Sequence, residues 1–100
     1  MEVKKQTTQQ VCTISVEGRL DTANSGILQK AIDEWAAEDP VDLVLDFENL
    51  IYITSSGLRC LIMARRTAAK NGRSIRVVNA RQAVKEVFEI TGLSSLVGIS

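Results

Sequence analysis

Asp42-Leu-Val-Leu-Asp-Phe-Glu-Asn-Leu-Ile-Tyr-Ile-Thr-Ser-Ser-Gly-Leu-Arg59 is the stretch on which the fold turns. Leu43, Leu45 and Phe47 alternate with Val44 and Asp46, the period-two spacing of a half-buried strand. Three successive hydroxyls, Thr54, Ser55 and Ser56, and then Gly57 lead into Leu58, Leu61, Ile62, Ala68 and Ala69, which recur at helical spacing. Asn71-Gly72 is a helix stop. A strand that feeds a helix through a short connection is the unit from which α/β sheets are built.

Working outward, Ile27, Leu28, Ala31, Ile32 and Trp35 form one apolar stripe, which predicts a helix over about 23–37 with Thr22, Asn24 and Ser25 as candidate N-caps and Trp35 in the core. Pro40 stops it. Upstream, Cys12, Ile14 and Val16 alternate with Thr13 and Ser15 as a strand that Gly18 is expected to break, and residues 1–10 are polar enough for an edge strand at most. Downstream, residues 74–78 are short and β-branched. Asn79 is a candidate cap for a last helix with a stripe of Ala83 or Val84, Val87, Phe88 and Thr91, closed by Gly92. Residues 95–100 are read as a terminal strand. Strands alternating with helices predict an α/β domain with parallel pairs, right-handed crossovers and helices packed on the sheet.

The chain has 100 residues, 45% of them apolar, which fits one domain over residues 1–100 with a single core. No apolar run approaches the roughly 20 residues of a membrane span, and residues 1–10 lack a signal-peptide stretch, so a cytoplasmic protein without membrane insertion is expected. Cys12 and Cys60 stand alone and His is absent, which argues against a zinc site or a redox pair and for reduced core thiols. Twelve basic residues balance twelve acidic ones, which argues against direct nucleic-acid binding. The balance conceals a split. Residues 1–57 carry four basic and ten acidic side chains, and residues 58–100 carry eight basic and two acidic.

The hydroxyls at Thr54, Ser55 and Ser56 lie where a helix begins, with unpaired backbone N–H groups and a partial positive charge. Two uses compete: a plain N-cap at Ser55 or Ser56, or a phosphorylation site whose added charge the helix dipole tolerates. An acyl-transfer role for Ser55 lacks a histidine base. Asp21, Asp46 and Glu48 match no metal-loop spacing and read as solvated carboxylates. No Gly-rich phosphate loop is present. No metal, cofactor or catalytic residue is therefore assigned. Arg59, Met63, Arg66 and Lys70, spaced 4, 3 and 4, share one helix face opposite Leu61, a pattern that suits either plain solvation or a protein contact.

Gly18-Arg-Leu-Asp21, Leu43-Val-Leu-Asp-Phe47, Tyr52-Ile-Thr-Ser-Ser-Gly-Leu58 and Phe88-Glu-Ile-Thr-Gly-Leu93 occur in that order. The pattern resembles the STAS domain family, in particular the single-domain anti-sigma-factor antagonists of bacteria, over roughly residues 11–100. The resemblance implies a mixed sheet of about four to five strands with three to four helices packed on it. It also implies a non-catalytic module that sequesters an anti-sigma factor, itself a serine kinase, and so regulates sigma-dependent transcription. Ser55 is the implied phosphoacceptor, ahead of Ser56 and Thr54, with a serine phosphatase as the reversing partner. Asp21, Thr54, Ser56, Gly57, Arg59, Met63 and Arg66 are the implied partner surface, and Asp21 and Arg59 are expected to meet beside Ser55. The chain departs from the family in one place: Thr54 stands where well-studied members carry Asp before the phosphoserine. Some stand-alone STAS proteins resemble accessory subunits of membrane transport complexes that bind an ATPase without a phosphate switch, and this is the competing expectation.

Overall fold

The computed structural model describes residues 2–37 and 40–93, together with the strand placement of 98–99. Strand β1 (Glu2–Thr7), β2 (Val11–Leu20), helix α1 (Ser25–Ala37), β3 (Asp42–Asp46), β4 (Leu50–Ile53), α2 (Ser55–Lys70), β5 (Ile75–Val78), α3 (Gln82–Thr91) and β6 (Gly98–Ile99) follow in that order. Five strands run β1-β2-β3-β5-β6, and β4 joins at the far end of β2. Among the described strands β1 alone is antiparallel to its neighbour; β2–β3, β3–β5, β5–β6 and β2–β4 are parallel, with a helix on each crossover. The α/β class, the mixed sheet and the three helices agree with the sequence reading. The rest of the tail strand expected over residues 95–100 lies outside the described residues.

Side chains that share a period share a burial. Cys12, Ile14 and Val16 of β2 and Leu43 and Leu45 of β3 are fully or almost fully buried, while Thr13, Ser15 and Val44 on the opposite face are half-buried. The core side of the sheet meets Leu28, Ile32 and Trp35 of α1 and Leu58, Leu61, Ala64 and Ala68 of α2. Helices α1 and α2 lie side by side, and α3 packs on β4, burying Val84 and Phe88. Trp35 is 3% exposed and its indole N–H donates to the Val41 carbonyl at 2.9 Å, so the ring fills the core and ties the end of α1 to the approach of β3. Both thiols, Cys12 and Cys60, are free and buried. Among the described residues no helix is long and apolar enough to cross a membrane.

Three local expectations are corrected. Gly18 does not end its strand: at φ 99° it carries a bulge, and β2 continues to Leu20. Before the bulge β2 pairs with β3, and after it with β4, a strand too short for its periodicity to declare in sequence. Asn79 is not a cap. It holds a left-handed backbone at φ 59° and donates from Nδ2 to Asp46 Oδ1 at 3.2 Å, while Arg81 is the residue before α3. The helix closes at Gly92, left-handed at φ 76°, as the sequence predicts. Helix α1 begins at Ser25, two residues later than expected, because Asp21 accepts the Asn24 N–H with both its carbonyl and Oδ1 and takes the Ser25 N–H on its carbonyl. Asn24 itself donates its side-chain amide to the Arg19 carbonyl rather than capping.

Leu45 is fully buried at the centre of β3. Leu45→Ala should lower unfolding stability by about 3 kcal/mol, the transfer and cavity terms together. Urea denaturation measures this, and a loss below about 1 kcal/mol would contradict the placement of Leu45 in a close-packed core.

Candidate functional site

The site is built where the carboxyl end of β2 meets the start of α2. The Leu20 carbonyl accepts the Thr54 N–H at 3.0 Å and the Thr54 hydroxyl at 3.3 Å. Thr54, with extended backbone, is the N-cap residue of α2, and its carbonyl accepts the Leu58 N–H at 3.0 Å. Its hydroxyl is turned back onto β2 and makes no cap bond to the helix. The capping reading of Ser55 and Ser56 is therefore wrong by one position: they are the first two helical residues, and the early N–H groups of α2 receive no side-chain cap from Thr54.

The three hydroxyls differ in what they touch. Thr54 is half-buried and bound to Leu20; Ser56 is half-buried and its Oγ lies 3.2 Å from Thr22 Oγ1, a hydrogen bond in which either hydroxyl can donate. Ser55 is exposed and its hydroxyl makes no hydrogen bond among the described residues. The most available nucleophilic oxygen of the three thus sits on the first residue of α2.

Gly57 was expected on the partner surface and is instead buried. A Cβ there would lie 2.7 Å and 2.8 Å from Leu20 Cγ and Cδ2, and 3.0 Å from Ile53 Cγ1. Its lack of a side chain lets the helix start press onto β2 and β4, a role in positioning rather than in contact. Asp21 and Arg59, expected to meet beside Ser55, make no direct contact as an ion pair among the described residues. Asp21 is half-buried with its carboxylate on the Asn24 N–H. The 18–22 loop and the helix start are coupled through Thr22 and Ser56 instead. Arg59, Met63, Arg66 and Lys70 are exposed along one face of α2 as predicted, and Met63 retains 48% of its accessible surface.

Two further features escape the sequence reading. Arg19 stacks its guanidinium over the Tyr52 ring at 4.6 Å, bracing β2 against β4 just before the helix. Cys60, 5% exposed, places Sγ 3.5 Å from the Ser56 carbonyl and 3.6 Å from the Ser25 carbonyl, bridging α2 and the start of α1. Burial pushes this thiol's pKa up and the charge of Asp33 adds to the rise, against the opposing effect of a backbone hydrogen bond. Among the described residues no group of acidic, Cys or His side chains is arranged to hold a metal.

Two outcomes follow from this geometry. Gly57→Ala should destabilise the protein by about 1–3 kcal/mol despite the better helix propensity of Ala, because it overpacks Leu20. Gly26→Ala in α1, with nothing within 4 Å of the added carbon, should be neutral or stabilising by up to about 1 kcal/mol. Equal effects in thermal melts would contradict the close approach at Gly57. For Cys60, folded and unfolded forms both keep the thiol proton at neutral pH; as pH rises past 9.0 the unfolded chain ionises first, so stability falls until the folded thiol titrates too. Cys60→Ala should flatten that alkaline loss relative to wild type, and an unchanged pH profile would show that the thiol is not the cause.

The comparisons with known proteins agree with this architecture. A family model described as "Mlab, STAS domain" matches residues 3–98. The anti-sigma-B factor antagonist of Bacillus subtilis is 25% identical over 87 residues, spanning 87% of this chain and 79% of that protein. The crystal structure of an anti-sigma factor antagonist from Mycobacterium paratuberculosis matches with a TM-score of 0.88 at 24% identity, over 98% of this chain and 83% of that one. The Bacillus cell fate determinant SpoIIAA in its phosphorylated form matches with a TM-score of 0.75 at 22% identity, over 99% of this chain and 91% of that one. With its fold shared by these structures and nearly all of its length matched by one family model, the chain belongs to the STAS domain family.

Proposed function

We propose that the chain is a phosphorylation-switched anti-sigma-factor antagonist, a binding module whose acceptor is Ser55. The observation that carries this reading is the exposed, unengaged Ser55 hydroxyl on the first residue of α2, in a chain whose curated relative is named an anti-sigma-factor antagonist. Thr54 and Ser56 are weaker acceptors because each hydroxyl is already in a hydrogen bond.

The chemistry belongs to the partner. The bound anti-sigma factor, acting as a serine kinase, supplies ATP and a base. The Ser55 oxygen forms a bond to the γ-phosphorus as the bond to ADP breaks, and the hydroxyl proton goes to that base. What this chain supplies is position. Ser55 projects from a helix start pinned to β2 by Thr54 and packed on it at Gly57, so the oxygen is presented in one place. The phosphate, with close to two negative charges, meets uncapped N–H groups and the positive end of the helix, and Arg59 lies one turn further on. The fold tolerates the charge; a partner surface matched to the unmodified serine does not. Asp21, half-buried and held on the turn that opens α1, is assigned the role of guiding the kinase onto this edge. Removal of the phosphate by a serine phosphatase would restore binding.

Incubation with the cognate kinase and ATP, followed by intact-mass measurement, should add one phosphoryl group to wild type and none to Ser55→Ala. Equal phosphorylation of the two would move the acceptor elsewhere. Ser55→Asp should weaken binding to the anti-sigma factor at least about tenfold, or 1.4 kcal/mol. Binding of Ser55→Asp as tight as wild type would instead favour a non-switched STAS subunit, such as an accessory part of a membrane transport complex that engages its ATPase.

A further inference from the structure

Beside Ser55, an open groove of about 1080 Å³ runs between α2, the start of α1 and the end of α3. Its apolar lining includes Leu58, Ile62 and Leu93, and its exposed rim carries Arg59, Met63 and Arg66. Among the described residues no carboxylate lines it. Lys70 lies outside the groove lining, one helical turn beyond Arg66 on the same exposed face, and none of Arg59, Arg66 and Lys70 makes an ion pair among the described residues. The groove is at the upper end of the roughly 300–1,000 Å³ of small-ligand pockets, and it is open to solvent rather than enclosed.

We infer that this groove receives an acidic amphipathic helix of the binding partner. The inference rests on the reading of the chain as a partner-binding module and adds the chemistry of what is bound. Charge complementarity selects the occupant. The three cations are separated by seven and four residues, about 10 Å and 6 Å along the helix axis. A helix lying alongside α2 and running in the same direction answers them with carboxylates at positions i, i+7 and i+11. Apolar residues at i+3 and i+4 then fall opposite Met63 and the groove, the helix-in-groove pattern of recognition. Met63, long and unbranched, adapts to whichever apolar side chain arrives. The concave, helix-walled shape fits a rod rather than a flat lipid surface. The same layout ties the groove to Ser55: a phosphate there lies one turn from Arg59, so it competes with the partner's first carboxylate for that guanidinium and repels the carboxylate directly.

The test is an NMR titration of the isotope-labelled full chain with a synthetic helical peptide of about 16 residues carrying Glu at i, i+7 and i+11 and Leu at i+3 and i+4. Its twin carries Lys in place of Glu. The Glu peptide should shift amides of residues 58–66 saturably, and the Lys twin should not. The double variant Arg66→Glu/Lys70→Glu, both positions exposed and expected to keep the wild-type melting temperature, should weaken the Glu peptide at least about fivefold and gain affinity for the Lys twin. Twins that bind alike, a double variant that binds like wild type, or phosphatidylglycerol vesicles that move these amides where the Glu peptide does not would each overturn the inference. Ser55→Asp in the same titration separates the two readings. If it binds the Glu peptide like wild type while the double variant does not, the groove assignment stands and the phosphate switch fails. If only Ser55→Asp is weakened, the groove assignment fails and the switch stands.

Discussion

The architecture of the site depends on one close approach, that of the α2 start to the end of β2. The Leu20 carbonyl takes both the N–H and the hydroxyl of Thr54, and the Leu20 side chain occupies the space where any side chain at residue 57 would begin. Hydrogen bonds set the direction of the approach, and the missing Cβ sets its depth. Neither suffices alone. Without Gly57 the helix is held off the sheet; without the Leu20 carbonyl its first turn has no fixed origin. The bulge at Gly18 serves the same end by turning β2 from β3 toward β4, so that the final residues of β2 and β4 arrive together beneath the helix. A buried glycine and a strand irregularity are thus what hold Ser55 in place at the surface.

In the proposed switch, that arrangement lets one exposed hydroxyl govern binding while contributing little to folding. Thr54 and Ser56 are tied into the scaffold, one to Leu20 and the other to Thr22, and Ser55 between them is not. A charge added at Ser55 is received by helix N–H groups that no side chain from Thr54 has satisfied, in a place where the dipole favours an anion. The effect of the charge is directed outward, onto whatever lies against the helix. The opposed charge of the two halves of the chain contributes here through α2, whose exposed Arg59 and Arg66 line one side of a groove with no carboxylate among its described residues.

Much of this architecture is legible in the order of residues. The alternation at Cys12, Ile14 and Val16 and at Leu43 and Leu45, the stripes of Leu28, Ile32 and Trp35 and of Leu58 and Leu61, and the stop at Gly92 all reflect burial, and burial follows periodicity because strands and helices repeat at different spacings. What fails is what depends on a neighbour distant in sequence. Gly18 reads as a terminator because glycine usually is one; only the arrival of Leu50 beside it makes it a bulge. Asn79 reads as a cap because of its side chain, and Asp46 takes that side chain instead.

The sequence by itself determined the α/β class, the core, the helix on which Ser55 lies and the exposed face of Arg59, Met63 and Arg66, because each is encoded by spacing within a single element. Only the tertiary structure decided which hydroxyl is free, since Leu20 and Thr22, far away in the chain, engage Thr54 and Ser56. It also withdrew Gly57 from the surface, set the Asp21 carboxylate on the Asn24 N–H of its own turn, and opened a groove beside α2. Those outcomes rest on distances between elements, and the periodicity of one element carries no information about what packs against it.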